Sequence, residues 1–288
     1  MTHCIIMTAY KDADNINSFI NATPTDWGIY IHLDKKSCLS KTDINDRAKV
    51  YSIRKVFWGA WEHLEVILYL LRQAVREGNY DYYHIVTAQD FYSMPIHRID
   101  EIVTQQEGYN FVDYFPIPHM TWHDWELGYG IFQYRTLASY CDVRSGWSWW
   151  LNKGVLYLQE KMPWLKKRLP KMDLYGSSVY CTLYCDFVRW LVEGEFPQRF
   201  VKRMKNTTCC EEVVIATLIM NSPYKDKCLQ TNYRYICWER PNMILIEDDF
   251  PKIVNSNCFF CRKVDVRKSG KLNSLLRNYV SNGKSSSM

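Results

Sequence analysis

Short apolar runs alternate with amphipathic stretches from the beginning of the chain. Residues 3–10 (HCIIMTAY) are apolar enough to predict a buried strand, and residues 11–21 repeat apolar positions at helical spacing. A second strand is predicted over 27–37, which ends in polar and basic residues. A strand, a helix and a strand in immediate succession form a βαβ unit. This unit predicts a parallel sheet with a binding crevice at the carboxyl ends of its strands.

A second alternating unit follows. The pattern predicts a strand near 54–58, a helix over 60–75, a strand over 81–91, a helix over 96–106 and a strand over 109–116. In the first of these helices apolar residues recur every three or four positions, which is typical of a helix packed against a core. Because short loops join the elements and nothing marks a domain boundary, the pattern favours one α/β domain.

The later chain contains three further predicted segments. Residues 174–192 predict a strand that leads into a helix, 231–239 predict a strand, and 258–265 predict a strand followed by a loop. Arg234 and Lys263 belong to the last two segments, so they are candidates to hold an anionic group in the crevice. The alternative for each is a solvated surface charge.

Residues 203–217 (RMKNTTCCEEVVIAT) join a polar loop to the start of an apolar helix. Thr208 and Glu211 have the spacing of a capping box, in which both side chains would satisfy the first N–H groups of the helix. Glu212 has no such role, and the residues after it are apolar on every side of the helix. A carboxylate at the end of a buried helix is a candidate general base. The alternative is a charge that stabilises the helix N-terminus.

Composition and cysteine usage narrow the class of protein. The chain has 288 residues, of which 47% are hydrophobic and 23% are charged, as expected for a soluble globular protein with a large core. Its longest apolar runs are far shorter than the roughly 20 residues of a membrane span, and its N-terminus lacks an export-signal pattern. Eleven cysteines without regular spacing predict a reducing compartment, so we expect a cytoplasmic protein.

Two small clusters contain metal-ligating residue types. Cys258 and Cys261 form a CxxC pair, and His119, His123 and Asp124 lie close together in sequence. A second cysteine pair with zinc-ligand spacing is missing, and the two Phe residues inside CFFC favour a buried strand. We therefore expect no metal at either cluster.

The formal charge of +5 is unevenly placed along the chain. From Arg262 onward there are seven Lys or Arg residues against one acid, Asp265. We interpret 266–288 as a basic C-terminal tail whose last residues are predicted to be disordered. Such a tail favours anionic partners, either substrate phosphates or the inner face of a membrane as a peripheral contact. No nucleic-acid-binding motif accompanies the charge, so we expect no nucleic-acid partner.

Aromatic residues are dense over 117–175, where they are interleaved with His, Asp and Arg. Aromatic faces beside polar groups suit sugar rings, whose C–H faces are apolar, whereas the alternative is that the rings fill the core. Trp125, Glu126 and Arg135 are therefore candidates for an acceptor site.

Seven segments carry a family resemblance along most of the chain. They are IYIHLDKKS (29–37), FWGAWEHLEVILYLL (57–71), TAQDFYSMP (87–95), YGSSVYCTL (175–183), EEVVIAT (211–217), YRYICW (233–238) and FFCRKVD (259–265). In this order they resemble the Core-2/I-branching β-1,6-N-acetylglucosaminyltransferases and their bacterial relatives. The resemblance implies a single GT-A-like domain over 1–265, with a mostly parallel mixed sheet flanked by helices, and an inverting transfer from a UDP-sugar. It is weakest over 117–175.

The resemblance also implies roles for individual residues. Glu212 falls on the catalytic base, Arg234 and Lys263 fall on the cations that hold the donor diphosphate, and Asp34 falls on the acid that contacts uridine. Other matched positions are Trp61, Gly176 and Ser177 on the donor side and Gln89 and Asp90 on the acceptor side. The sequence departs from the family at CCEE, where many members have a serine, a proline and an acid before the base.

The resemblance implies no cofactor and no divalent metal. Many transferases of this fold hold a cation with an Asp-x-Asp motif after the fourth strand, but residues 87–90 (TAQD) contain a single acid. The Asp-x-Asp at 12–14 opens a helix, so we interpret it as a cap. Arg234 and Lys263 would take the metal's place.

The resemblance implies UDP-N-acetylglucosamine as the donor, with UDP-xylose as the alternative. The acceptor would be a hydroxyl of a glycan or glycolipid, in the synthesis of a surface polysaccharide or other glycan. Two other classes stay open: a module that binds nucleotide or sugar without turnover, and a metal or thiol protein built on CFFC. The acceptor, the linkage and the oligomeric state are not determined by the sequence.

Overall fold

A computed structural model describes residues 1–282, whose elements form a mixed α/β fold. The strands are β1 (His3–Ala9), β2 (Gly28–Leu33), β3 (Lys49–Tyr51), β4 (Tyr82–Thr87), β5 (Asp90–Tyr92), β6 (Asn110–Phe111), β7 (Tyr114–Pro116), β8 (Tyr175–Ser177), β9 (Thr182–Tyr184), β10 (Cys228–Leu229), β11 (Arg234–Ile236) and β12 (Phe260–Arg262). The helices are α1 (Ala13–Ala22), α2 (Trp61–Glu77), α3 (Ile96–Gln105), α4 (Tyr129–Gln133), α5 (Gly146–Lys161), α6 (Cys185–Glu193), α7 (Glu195–Arg203), α8 (Glu211–Met220), α9 (Phe250–Val254) and α10 (Gly270–Asn282).

Seven strands form the central sheet, in the order β10-β6-β9-β4-β1-β2-β3. The strands β4, β1, β2 and β3 are parallel to one another, whereas β9 runs antiparallel to both β4 and β6. The α/β class is therefore confirmed, with a large, mostly parallel mixed sheet flanked by helices. The first βαβ unit, β1-α1-β2, lies close to where the sequence places it.

Side-chain alternation along β1 assigns the core to two layers, one on each face of the sheet. Cys4 and Ile6 pack on one face with the apolar sides of α2, α6, α7 and α8. Ile5 and Met7 pack on the other face with α1, α3, α9 and α10. Because β1 is buried between these layers except at the partly exposed Thr8, its sequence is apolar at most successive positions, as expected of a central parallel strand.

A small second sheet joins three distant parts of the chain. Its strand order is β11-β12-β5, with β12 parallel to β11 and antiparallel to β5. The β12–β5 register places Arg262 opposite Asp90. A separate antiparallel pair, β7 and β8, places Phe115 opposite Gly176. The β12–β5 pairing brings Arg262, from late in the chain, next to the segment that follows β4.

Several predicted strands are wrong in position or number. The strand expected over 81–91 is divided into β4 and β5 of different sheets, and the single strand expected at the start of 174–192 is two, β8 and β9. The strand expected near 54–58 is instead β3, a few residues earlier, because Arg54 and Val56 direct their N–H groups to the side chains of His32 and Asp34 and not to a neighbouring strand. The strand expected over 109–116 is divided into β6 and β7, which belong to different sheets.

Helix α8 is buried on nearly every side, as predicted, but it lacks the predicted capping box. The Thr208 hydroxyl donates to the carbonyl of Gly59 at 3.1 Å, and the Cys209 N–H donates to the same carbonyl at 2.9 Å. Thr208 also forms an isolated antiparallel bridge with Ala60. The loop before α8 is thus bonded to the segment before α2, and the Thr208 side chain caps no helix.

The C-terminal segment predicted as a tail contains the helix α10. Its residues Leu272, Leu276 and Val280 are buried in the layer that also contains α1. Residues 283–288, the part expected to be disordered, lie outside the described residues. None of the helices within residues 1–282 is long and apolar enough to cross a bilayer.

Candidate active site

Three parallel strands end at one edge of the central sheet. β1 lies between β2 and β4, so the strand order reverses there. Open α/β sheets bind ligands at this kind of switch point, outside the carboxyl ends of the strands. Thr8, near the end of β1, is in register with His32 of β2 and with Thr87 of β4.

His63 connects this edge of the sheet to the start of α8. Its Nε2 lies 3.3 Å from the hydroxyl of Thr8, and its Nδ1 lies 3.1 Å from Oε1 of Glu211. Glu211 is buried, and its second oxygen has no hydrogen-bond partner among the described residues. Glu211 is therefore committed to a histidine, and the capping role predicted for it is wrong.

Glu212 is partly buried directly beside this pair. Burial, and then the neighbouring charge of Glu211, raise the pKa of the Glu212 carboxyl from 4.5 to about 8. A carboxyl group whose pKa lies near neutrality can exchange a proton under physiological conditions.

Asp90 is fully buried at the start of β5, shortly after the end of β4. Its Oδ2 accepts a hydrogen bond from the Thr87 N–H at 2.7 Å, and its Oδ1 lies 3.4 Å from Nε of Arg262. The Arg262 guanidinium lies over the ring of Tyr180, 3.5 Å from its centroid. The structure thus gives Asp90 an internal role, in holding Arg262, in place of the predicted contact with an acceptor.

Because Thr8 and Thr87 are register partners, the Glu211–His63 pair and the Asp90–Arg262 pair belong to the same edge of the sheet. Helix α8 therefore contributes an acidic group to this edge, and β12 contributes a basic one.

Lys263 follows Arg262 at this edge and is partly buried. Burial, followed by the positive charges of Arg262 and Lys11, lowers the pKa of Lys263. Lys11 is itself paired with Asp265 at 3.3 Å and lies 3.6 Å from Asp12. Cations from β12 and from the end of β1 therefore converge, which is a suitable environment for phosphate oxygens.

Arg234 occupies a different environment from the one the sequence predicts. Its guanidinium is buried over the ring of Phe260 and donates to the carbonyls of Asn232 at 2.6 Å and Cys181 at 3.0 Å. Burial lowers the pKa of Arg234 to about 10, so the group stays charged at neutral pH. Both Nη atoms already bind backbone carbonyls that tie β11 to the start of β9, and only the buried Nε has no hydrogen-bond partner among the described residues, so the contacts favour a scaffold role over the predicted diphosphate contact.

Asp34 follows β2, as predicted, and is nearly buried. Its carboxylate accepts hydrogen bonds from the Lys36 N–H at 2.8 Å and the Val56 N–H at 3.3 Å, and it pairs with the Lys36 ammonium at 2.6 Å. Asp34 therefore closes the turn after β2, at the carboxyl edge of the sheet.

Gly176 permits a close approach, but the group that approaches is Trp122. A Cβ atom at Gly176 would lie 2.3 Å from the Trp122 ring, so only glycine fits beneath that indole. Ser177 is buried, and its hydroxyl lies 3.5 Å from the carbonyl of Glu212. Trp61 directs its indole N–H to the carbonyl of Val201 at 3.4 Å. The β8 residues thus lie beside Glu212, whereas Trp61 serves packing.

The other acceptor candidates fall in two places: Trp125 and Glu126 both contact Tyr134, the residue before Arg135, whereas Gln89 follows β4. Gln89 lies at the sheet edge, where its carbonyl accepts the Val264 N–H at 2.8 Å. Trp125 is partly buried against the core. Glu126 pairs with Lys166 at 2.9 Å, and the exposed Arg135 lies at the rim of a cavity of about 360 Å³ beside α5. Of these four candidates, Gln89 is the one that the described contacts place next to Lys263, the residue before Val264.

A second cavity, of about 390 Å³, lies beside α6 and α7 and is lined by Asp186, Arg189, Trp190, Glu193, Gly194 and Tyr224. The residues that line these two cavities do not include Glu212, Lys263 or Asp34. Neither cavity is therefore the candidate active site.

The two clusters of metal-ligating residue types, at which we expected no metal, lie in different environments. Cys261 is buried on β12, and burial raises the pKa of the Cys261 and Cys258 thiols, which opposes formation of a thiolate. His123 and Asp124 are exposed. Within residues 1–282, no group of three His, Cys, Asp or Glu side chains has an arrangement that could hold a metal ion.

Sequence reasoning missed three contributors to the site. His63 lies in the first turn of a helix whose apolar stripe was assigned to the core. Arg262 adjoins Lys263, the residue to which the family resemblance assigned the diphosphate contact. Lys11 begins the segment after β1. Position at a strand end was the available signal for Lys11 and Arg262, whereas the contacts of His63 depend on residues 55 and 148 positions away.

No protein-family model matches this chain, and no curated protein matches it. The fold and the site themselves define the class of protein. It is a mixed α/β protein that has, at the switch point of its sheet, a carboxyl group with a pKa near neutrality (Glu212) and three neighbouring cations (Lys11, Arg262 and Lys263).

Proposed function

We propose that this chain is a metal-independent inverting glycosyltransferase that uses a UDP-sugar, with a GT-A-like fold and a relationship to the Core-2/I-branching family. The observation that carries this proposal is the place of Glu212, next to the Glu211–His63 pair that reaches Thr8 near the end of β1. Burial there raises the pKa of the Glu212 carboxyl to about 8. A general base works best when its pKa lies near the operating pH. Lys263, with Arg262 and Lys11 close by, supplies positive charge at the same edge.

Glu212 would accept the proton of an acceptor hydroxyl as the hydroxyl oxygen attacks the anomeric carbon. The bond from that carbon to the diphosphate oxygen breaks on the opposite face, and its electron pair leaves with UDP. An α-linked donor therefore gives a β-linked product. Glu211 contributes indirectly, because its charge helps to raise the pKa of Glu212 and so makes it a stronger base.

The leaving diphosphate would be neutralised by Lys263 and Arg262. Arg262 is held by Asp90 and Tyr180, and its buried Nη1 has no hydrogen-bond partner among the described residues. Such a donor can be satisfied by a phosphate oxygen. Arg234, by contrast, acts as a scaffold between β11 and β9. The cation pair is thus revised from Arg234 and Lys263 to Arg262 and Lys263.

Uridine would lie at the end of β2 against Asp34, with the sugar near β8. The resemblance of the sequence favours UDP-N-acetylglucosamine as donor and keeps UDP-xylose as the alternative. The acceptor would be a glycan or glycolipid hydroxyl that approaches past Gln89 and the segment around Trp125, which the Trp122–Gly176 contact brings next to β8.

A screen of UDP-sugars for hydrolysis and for thermal stabilisation tests this proposal. We expect one donor to be hydrolysed without added metal, and Glu212→Gln to lower turnover by about 10²–10⁴-fold, since a positioned base contributes that much. Glu195→Gln is a matched control, because Glu195 is an exposed acid in the first turn of α7. Stabilisation by UDP-sugars with no turnover for any of them would favour a binding module, which the internal bonding of Arg234 allows.

A further inference from the structure

Helix α5 is attached to the protein by its polar side. Ser148, Asn152 and Gln159 are its buried residues. The Asn152 side chain accepts the Leu137 N–H at 2.9 Å, and the Gln159 amide bonds both the N–H and the carbonyl of Arg135 at 2.8 Å each. A surface helix normally buries its apolar side. In α5 the usual arrangement is reversed.

The opposite side of α5 is apolar and exposed. Trp147 and Trp150 are 74% and 71% exposed, and Leu151, Tyr157 and Leu158 are also exposed. At 100° per residue these five side chains fall within an arc of about 120°. Trp164, in the short turn after the helix, is exposed as well. We call these six residues the α5 surface.

Exposed apolar surface on this scale marks an interaction site in a soluble protein. Residues 146–171 contain six Lys or Arg and a single acid, Glu160, so their formal charge equals the +5 of the whole chain. Lys166 and Lys167 are turned toward Glu126 and the carbonyl of Arg203. The exposed cations of the segment are Lys153, Lys161, Arg168 and Lys171.

The positions of these cations favour an anionic, amphipathic occupant. Lys153 lies 5.5 Å from the ring of Trp149, and Lys161 lies 5.5 Å from the ring of Tyr157, so charge and aromatic surface are adjacent. A second copy of this segment would bring two formal charges of +5 together, which opposes self-association. Trp and Tyr beside Lys are typical of helices that lie in the headgroup layer of a bilayer.

We propose that the α5 surface docks on an anionic lipid bilayer, with α5 lying in the plane of the headgroups. The apolar arc would enter the boundary with the acyl chains, and the exposed cations would contact lipid phosphates. The membrane contact expected from the C-terminal tail thus moves to a different part of the chain. In α10 the apolar residues Leu272, Leu276 and Val280 are already buried in the protein. Docking would stand whether or not the chain transfers sugar.

Sedimentation of the full chain with sucrose-loaded vesicles tests the proposal. Vesicles of phosphatidylcholine alone are compared with vesicles of phosphatidylcholine and phosphatidylglycerol in equal parts. We expect sedimentation with the anionic vesicles, weakening as salt is added. Trp147→Ala combined with Trp150→Ala should reduce the partition coefficient about 100-fold, at tenfold for each indole. Lys153→Gln combined with Lys161→Gln should reduce it about 25-fold, at fivefold for each charge.

Trp238→Ala is the matched control, since Trp238 is 70% exposed but lies after β11. It should leave sedimentation unchanged, and thermal melting of each variant checks the fold. The proposal is overturned if the wild-type chain sediments with neither vesicle, or if Trp238→Ala weakens binding as much as the α5 variant. It is also overturned if light scattering shows self-association that the α5 variant abolishes while no vesicle is bound.

Discussion

Replacing Glu212 with Gln tests the electrostatics of the site without any assumption about function. Gln has nearly the same shape and is neutral at every pH. In the wild type, burial and Glu211 raise the pKa of Glu212 from 4.5 to about 8. Below about pH 4.5 the folded and unfolded chains both hold the proton, so this group costs the fold nothing.

Between pH 4.5 and about 8 the unfolded chain releases the proton while the folded chain retains it. The wild-type free energy of unfolding therefore falls by about 1.36 kcal/mol for each pH unit, to a total of up to about 5 kcal/mol. Above the folded pKa the loss is constant. Glu212→Gln removes this dependence, so it should become more stable than the wild type as pH rises.

The assay is urea unfolding of the wild type and the variant at several pH values between 4.5 and 9. We expect the difference in unfolding free energy to grow with pH and then to level off near pH 8. Glu195→Gln, an exposed acid in the first turn of α7, should show little change. A difference between wild type and Glu212→Gln that stays constant across this range would refute the reasoning, because Glu212 would then titrate alike in both states.

Three further predictions concern the residues that the sequence assigned to the donor. Lys263→Ala should weaken UDP binding about tenfold or more, measured by calorimetry in EDTA and then with manganese, and strict dependence on manganese would contradict it. Arg234→Ala should instead lower the free energy of unfolding by about 2–4 kcal/mol, since buried carbonyls lose their donors, and unchanged urea unfolding would contradict it. Asp34→Ala should weaken binding of both UDP and uridine, whereas Lys263→Ala should weaken binding of UDP alone. If Asp34→Ala leaves uridine binding intact, Asp34 has only a structural role in the turn after β2.

Local pattern determined much of the architecture. The apolar run of β1, the stripe of α2 and the all-apolar α8 could be predicted because strand and helix periodicity place side chains on known faces. The position of Asp34 and Lys263 at strand ends followed from the same pattern. In each case the information lies within a few consecutive residues.

Contacts between distant residues decided the rest. Thr208 has the spacing of a cap, yet it bonds Gly59, and Glu211 bonds His63, because tertiary packing brings the start of α2 against the start of α8. Arg234 and Arg262 are both arginines on short late strands, so the sequence does not distinguish their roles. In the structure Arg234 binds backbone carbonyls, whereas the pairing of β12 with β5 places Arg262 against Asp90.

The aromatic segment shows the same division. Its sequence reveals dense aromatic residues, but a helical pattern alone does not tell which side faces the protein. The amides of Asn152 and Gln159 find backbone partners on a neighbouring segment, so the polar side of α5 is buried and its tryptophans are exposed. The sequence by itself determined the elements and their chemistry, whereas tertiary structure decided which polar groups satisfy one another and which remain available, since hydrogen bonds and burial depend on partners far away in the chain.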